Sequence, residues 1–520
     1  MVKASTIREN LSDSSIESIN TFVKGLSDAD LQQIRERAFH PIIPRKNLAE
    51  SSAKQLWDQN HEKVRQHIEG QIRNGKTEQI DVTELFEMLT TWHEPGYIDF
   101  VGLRPGTACN LDVVSKHRCE YCSQQKYAGV IHDDTIAAIT KSATEEGTRK
   151  NVIFSVSGGE MLFLYNKKIP QLLANIRQMA DTGAVVNMNS NLHLLTPKIA
   201  LGLIESGLAK LHVSLDSSDE AINNTTRGSK DAYELTLKNL LMIQEMQKAL
   251  GVDYPVLHIN TVVTNKNIDQ LPELFAFLLT LRRPINDMSE GSTHTAPLRR
   301  DLAPHFLFVQ DEENKHLFLK REDIERYYQM IWPMLQQIWE NYEDGLGLKV
   351  QQRTPLSDLL FFGDPVSRFG YSREDIEEGV ERAQYYPQGK FPLKCYVLGA
   401  QAYIMPDNRV YPCGGLAEAH RNGITNDSDL SSYISPKGDL REAVQRNIDA
   451  GTKTGFSRNR KECAGCYGSA IEINQRAELM LVNALLWLVH NNIKDVSQNE
   501  KLLSAFENNL RSYLYPWLSN

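Results

Sequence analysis

Cysteine is scarce in this sequence, with seven in 520 residues. That excludes a disulfide-stapled scaffold, and a chain this long buries enough core to fold without staples. A basic excess is also missing. Lys and Arg number 57 against 66 Asp and Glu, a net charge of -9, which disfavours a dedicated nucleic-acid binder. Long apolar runs are absent. The most apolar helix candidate, LMLVNALLWLV (Leu479 to Val489), is shorter than the roughly 20 residues that cross a bilayer. The opening MVKASTIRENLSDSSIES has no apolar run of the kind a signal peptide needs. There is no internal repeat and no low-complexity segment. Hydrophobic residues at 41% and charged residues at 24% are an ordinary globular balance. The expectation is a soluble cytoplasmic protein of about two to four domains.

The few cysteines are clustered. Cys109, Cys119 and Cys122 fall within CNLDVVSKHRCEYC. In a reducing compartment such a cluster points to metal binding or catalysis. Three thiolates suit a zinc ion with water as fourth ligand, or three irons of a cubane with one iron left open. His117 is a candidate to close a zinc site of three cysteines and one histidine. The other four are Cys395 and Cys413, at the ends of a hairpin candidate, and the C-x-x-C pair Cys463 and Cys466. By spacing alone these four suit a structural zinc knuckle as well as an iron–sulfur cluster.

Residues 1 to about 95 read as helices, in SDADLQQIRERAF and SSAKQLWDQNHEKVRQHIEGQIRNG, with Pro41 and Pro44 as breaks. From about residue 97 strands and helices alternate. YIDFVGL, NVIFSVSGGE, AVVNMNSN, AKLHVSLDS and PVLHINTVVTN read as strands. DDTIAAITKSATEEG, NKKIPQLLANIRQMADTG, TPKIALGLIESG, DAYELTLKNLLMIQEMQKALG and NIDQLPELFAFLLTL read as helices. This alternation predicts an α/β fold, a parallel sheet covered by helices, either wound open or curled toward a barrel. HFLFVQ is a further strand candidate and REDIERYYQMIWPMLQQIWENYE a helix. Residues 344–394 are loop-rich. KCYVLGAQAYIMPDNRVYPCGG reads as a β-hairpin, and Glu472 to Val489 as a helix packed on the body.

Ligands in such folds sit at the carboxyl ends of parallel strands. The cysteine loop follows the first strand, and Gly158–Gly159–Glu160 follows the second. Two glycines permit close backbone approach, and a carboxylate beside them suits an ammonium group. His193, His212 and His258 read as packed or solvated side chains near strand ends, and SRNRK (Ser457 to Lys461) as a solvated loop.

Together these residues resemble radical S-adenosylmethionine (radical SAM) enzymes over roughly residues 97–470. The resemblance rests on the three-cysteine loop with Tyr121 before its last cysteine, on Gly158–Gly159–Glu160, on NMNSN (Asn187 to Asn191) at the third strand's end, and on SLDS (Ser214 to Ser217) followed by TTRG (Thr225 to Gly228). The first cysteine gap departs from the usual C-x3-C-x2-C; here it is C-x9-C-x2-C, which lengthens the loop and keeps every ligand. The resemblance implies a [4Fe–4S] cluster on Cys109, Cys119 and Cys122 whose open iron chelates S-adenosylmethionine. It implies cofactor contacts from Tyr121, Gly158, Gly159, Glu160, Asn189, Ser190, Ser214, Asp216 and Arg227. Cys395, Cys413, Cys463 and Cys466 resemble the SPASM and twitch extensions, which implies a second, auxiliary [4Fe–4S] cluster; four cysteines favour the shorter twitch type.

The implied architecture is a helical extension over 1–95, a partial (β/α)6 TIM-like barrel over 96–345, a twitch-type β-hairpin and helix domain over 346–470, and a helical segment over 471–520. The implied activity is one-electron cleavage of S-adenosylmethionine, with flavodoxin or ferredoxin as donor. The 5′-deoxyadenosyl radical then takes hydrogen from a peptide or natural-product precursor, in an oxidation using the auxiliary cluster. A small-molecule dehydrogenase or epimerase, an RNA-modifying radical enzyme and a non-enzymatic zinc scaffold are the alternatives.

Overall fold

A computed structural model of the chain describes residues 19, 21, 23–37, 45–74, 81–96, 98–113, 118–122, 129–144, 152–282, 302–309, 312–347, 356, 395–414, 416–417, 431–434, 438–454 and 469–492. The expectations for Pro41, Pro44, His117, most of the loop-rich stretch 344–394, SRNRK, Cys463 and Cys466 lie outside the described residues. The chain divides into two compact units. One takes the described residues within 1–42, 103–140 and 148–386, the other those within 43–102, 141–147 and 387–520.

The first unit is built on a parallel sheet. Its strands are β2 (Ile153–Val156), β3 (Val185–Ser190), β4 (Lys210–Ser214), β5 (Val256–Val263) and β6 (Ala303–Phe308). They lie in the order β6-β5-β4-β3-β2, each pair parallel and in register. The expected α/β class is observed. Side chains alternate across such a sheet. In β4, Leu211 and Val213 are buried while Lys210, His212 and Ser214 are half-buried on the other face. The buried face is covered by helices whose ends the sequence marks. Thr196 caps Pro197–Glu205, its Oγ1 accepting from the Ile199 amide at 3.3 Å. Asp219 caps Glu220–Arg227, its Oδ1 accepting from the Ile222 amide at 3.0 Å. That helix stops at Gly228, whose φ of 64° is a left-handed C-cap that glycine adopts without strain. Ala232–Leu250 and Leu271–Leu281 supply buried leucines to the same core.

REDIERYYQMIWPMLQQIWENYE is not one uniform helix. Arg321–Arg326 passes through a π turn, Tyr327–Ile331, into Trp332–Gly345. Pro333 has no N–H to give an i−4 carbonyl, so a wider turn is accommodated there.

The second unit holds β1 (Phe100–Leu103, whose last residue belongs to the first unit), β7 (Gln401–Ile404), β8 (Arg409–Tyr411) and β9 (Ser432–Tyr433), ordered β1-β7-β8-β9. β7 and β8 form the expected antiparallel hairpin. Asn408 takes the left-handed turn position at φ 63°, which Asn tolerates. The first hairpin strand is shorter than expected, because Cys395 to Ala400 form turns. The Ala400 and Gln401 amides both donate to the Val397 carbonyl, at 3.1 and 3.0 Å, and those local bonds replace a ladder. The long helices Arg45–Arg73 and Ser469–Asn492 pack on one another. Leu56, Val64, Ile68, Leu481 and Leu485 are buried there. No helix among the described residues is long and apolar enough to cross a membrane.

Candidate functional site

The Gly158–Gly159–Glu160 turn and the loop entering Cys109 are joined backbone to backbone. The Ser157 amide donates to the Leu103 carbonyl at 2.8 Å, Gly159 to Gly106 at 3.0 Å, and Glu160 to Ala108 at 2.8 Å. This explains the two glycines. A Cβ on Gly159 would stand 2.0 Å from the Ala108 carbonyl oxygen, and one on Gly158 would stand 2.3 Å from that of Gly106. Gly158 also has φ +147°, a conformation L side chains rarely adopt. The close approach read from the sequence is therefore met by the chain itself, and it sets Cys109 beside Glu160.

Glu160 is buried, yet its carboxylate is well served. Oε1 accepts from Ser190 Oγ at 2.8 Å and from the Leu162 amide at 3.1 Å, and Oε2 accepts from the Asn191 amide at 2.6 Å. Burial pushes its pKa up, and these three bonds pull it back. A carboxylate has about four lone-pair sites, so capacity for one further donor remains. Asn191 Nδ2 donates to Asn110 Oδ1 at 2.8 Å, and the Cys109 thiol lies 3.8 Å from the same oxygen.

The second half of the cysteine loop is tied to the other strand ends. The Glu120 amide donates to the Thr226 carbonyl at 2.8 Å. Asn314 Nδ2 donates to the Tyr121 carbonyl at 2.9 Å. Lys266 pairs with Glu120. Arg227 is the centre: Nη1 reaches Cys119 Sγ at 3.9 Å, Nη2 donates to Asp216 Oδ1 at 3.3 Å, and Nε lies 2.8 Å from Asp216 Oδ2. Tyr121 donates its hydroxyl to Asp216 Oδ2 at 2.8 Å, and the guanidinium sits 5.6 Å from the Tyr121 ring centre, a cation–π distance. Burial opposes the Arg227 charge, but Asp216, Tyr121 and Cys119 together hold its pKa above the usual value.

The structure thus makes two sets of contacts along the cysteine loop, Cys109, Gly158, Gly159, Glu160 and Ser190 in one and Cys119, Tyr121, Asp216 and Arg227 in the other, with Cys122 tied back by its amide to the Cys119 carbonyl at 2.9 Å. Asn189 and Ser214 are placed differently. Asn189 is in register with His212, and Ser214 with Asn260, so both stand on the polar face of the sheet. The Asn110, Asn191, Asn223, Asn267 and Asn314 contacts were not foreseen. Asn223 Oδ1 accepts from the Asp216 amide at 3.0 Å, and Asn267 Nδ2 donates to the Asp216 carbonyl at 2.9 Å. The polar NMNSN strand end was the available signal for Asn191.

The donor set fits a cationic iron–sulfur group. Burial pushes the Cys109 thiol up to about 12, with Glu160 and Cys119 adding to the rise. Burial also raises Cys119, against the pull of Arg227. Three thiolates in one partly buried loop are costly unless positive charge compensates them, and bound iron would supply it. In the second unit Cys395 is buried, and Cys413 Sγ accepts from the Leu416 amide at 3.4 Å.

Comparison with known proteins agrees with this region. Residues 104–278 match the radical SAM superfamily. The tungsten-containing aldehyde ferredoxin oxidoreductase cofactor-modifying protein of Pyrococcus furiosus is 27% identical over 176 residues, 33% of this chain and 46% of the relative. The AdoMet-dependent heme synthase of Methanosarcina barkeri is 32% identical over 123 residues, 24% of this chain and 32% of the relative. The GTP 3′,8-cyclase of Helicobacter pylori is 28% identical over 189 residues, 35% of this chain and 52% of the relative. The chain thus spans about a third to a half of the length of these curated relatives. Among solved structures, anSMEcpe with bound AdoMet aligns at TM-score 0.42 and 16% identity, covering 78% of this chain and 97% of that one. Streptococcus suis SuiB bound to precursor peptide SuiA aligns at TM-score 0.41 and 13% identity, covering 78% and 82%. The match to the radical SAM superfamily covers residues 104–278, the stretch that holds Cys109 to Arg227.

Proposed function

We propose that the chain is a radical SAM oxidoreductase acting on a peptide or natural-product precursor. The observation that carries the reading is the joining of the cysteine loop to both the Gly158–Gly159–Glu160 turn and the Asp216–Arg227 pair. In this reading Cys109, Cys119 and Cys122 hold a [4Fe–4S] cluster with one open iron, inside a partial (β/α)6 barrel of residues 96–345. The cluster and S-adenosylmethionine together supply the 5′-deoxyadenosyl radical that abstracts hydrogen.

The chain's own residues position and shield. Glu160, held by Ser190, Leu162 and Asn191, keeps one acceptor site for an ammonium and fixes the turn whose backbone meets it. Arg227 offers positive charge to Cys119 and is prevented from swinging away by Asp216. Tyr121 is locked by Asp216, with its ring beside the Arg227 guanidinium. Asn189 and Ser214, on the polar sheet face, offer hydrogen bonds to the nucleoside. Cys395, Cys413, Cys463 and Cys466, within a twitch-type domain over 346–470, are the ligands of an auxiliary [4Fe–4S] cluster. Such a cluster would supply an electron acceptor, the chemistry that dehydrogenation or cross-linking needs. Flavodoxin or ferredoxin is the electron donor, and the cytoplasm the compartment.

A small-molecule substrate is the second reading, favoured by the alignment with the GTP 3′,8-cyclase over 189 residues. Anaerobic incubation with S-adenosylmethionine and a one-electron reductant tests the assignment. 5′-Deoxyadenosine and methionine are the expected products, and their absence from iron-loaded protein overturns it.

A further inference from the structure

Three histidines far apart in sequence meet on the polar face of the parallel sheet. His212 stands on β4, His258 directly opposite it on β5, and His305 on β6 opposite Asn260. His258 Nδ1 and His305 Nε2 are 3.1 Å apart. One ring nitrogen from each of the three lies within 4.8 Å of the others. The ring centres are 5.3 Å apart for His212 and His258, 5.2 Å for His212 and His305, and 4.8 Å for His258 and His305. His258 is buried and the other two are half-buried.

We propose that His212, His258 and His305 form a zinc-class divalent metal site, separate from the cysteine-bound iron and independent of the reading above. Zinc–imidazole bonds of about 2.0–2.1 Å in a tetrahedral arrangement set ligand nitrogens roughly 3.3 Å apart. The His258–His305 separation already matches that spacing, and a ring nitrogen of His212 lies within 4.8 Å of both. The three ligands come from neighbouring strands whose register is fixed by the sheet, so the site is preorganised.

Three neutral nitrogen ligands suit Zn²⁺ and leave a fourth position for an oxygen ligand. His305 shares its row with Asn260 and Ser214, so that position faces the polar side of the sheet. The ligand class it would take is water or a carboxylate or carbonyl oxygen of a bound molecule. The metal there acts as a Lewis acid and anchor, with no electron transfer.

The test uses full-length protein with its iron reconstituted anaerobically, loaded with Zn²⁺ and desalted. Elemental analysis should find about one zinc per chain, and X-ray absorption at the zinc edge should give a first shell of nitrogen and oxygen only. His258→Ala and His305→Ala should each weaken zinc binding by about 100-fold or more while iron content is unchanged. Should His258→Ala fail to fold, His212→Ala at the half-buried position reads the same loss. Zinc retained at wild-type affinity in these variants, or sulfur in the zinc shell, overturns the proposal. Deoxyadenosine formation, measured in parallel, reports on the iron site alone.

Discussion

Arg227 and Asp216 form a buried ion pair, Nε to Oδ2 at 2.8 Å, with side-chain exposures of 8% and 0%. The pair bridges the end of β4 and the helix Glu220–Arg227, and Arg227 continues from it to Cys119 at 3.9 Å. One guanidinium thus couples the fold of the strand ends to the geometry of the cysteine loop.

Removing one partner of this pair leaves a buried charge uncompensated, which costs about 3–5 kcal/mol. Arg227→Met should lower the unfolding free energy by that amount and reduce iron retention. Arg227→Lys keeps the charge but not the two-point fork, so it should recover part of the stability. Chemical denaturation of the three proteins checks the order.

Gly159→Ala should abolish iron loading, because its Cβ meets a backbone oxygen at 2.0 Å. Gly70, inside the helix Arg45–Arg73, has nothing within 4 Å of a built Cβ. Gly70→Ala should therefore stabilise by about 0.5–1 kcal/mol. Thermal unfolding and iron assay of the two variants separate the steric effect from the entropic one.

His193 gives a pH signature. Burial, and Arg227 nearby, lower its pKa from 6.5 to about 4. Between those values the unfolded chain binds the proton and the folded one does not. Stability from this group is complete above pH 6.5, declines as pH falls, and stops declining near 4. The full contribution is about 3–4 kcal/mol. His193→Gln should flatten that part of a stability–pH curve.

Tyr396 donates to Glu478 Oε2 at 2.7 Å, and its amide donates to Asn474 Oδ1 at 2.7 Å. Tyr396→Phe removes the first bond within a buried pair and should cost about 1–3 kcal/mol. Calorimetry should show the loss confined to the transition of the second unit.

Much of the first unit was legible from local signals. Alternation such as KLHVS and the Thr196 cap each act within a few residues, so position in sequence is enough to read them. The cysteine loop and the Gly158–Gly159–Glu160 turn were legible as patterns of residue type. Their joining was not, since the bonds from Gly159 and Glu160 to Gly106 and Ala108 follow from strand order. The Asp216–Arg227–Tyr121 pairing was not legible for a similar reason: Tyr121 is far from the other two in sequence, and the fold brings the three side chains together. His212 and His258 read as ordinary strand residues, because only register shows that β4, β5 and β6 place three imidazoles side by side. Cys395 to Ala400 read as strand from apolar composition, but packing turned that segment back, with Gly399 against Trp92.

The most direct measurement of the central claim is anaerobic Mössbauer spectroscopy of iron-57-loaded protein, paired with the deoxyadenosine assay, for wild type and Cys122→Ala. Wild type should contain about two four-iron clusters per chain and cleave S-adenosylmethionine on reduction. Cys122→Ala should lose one cluster and the cleavage together. A colourless wild-type protein holding zinc at its cysteines, or undiminished cleavage by Cys122→Ala, would contradict the account.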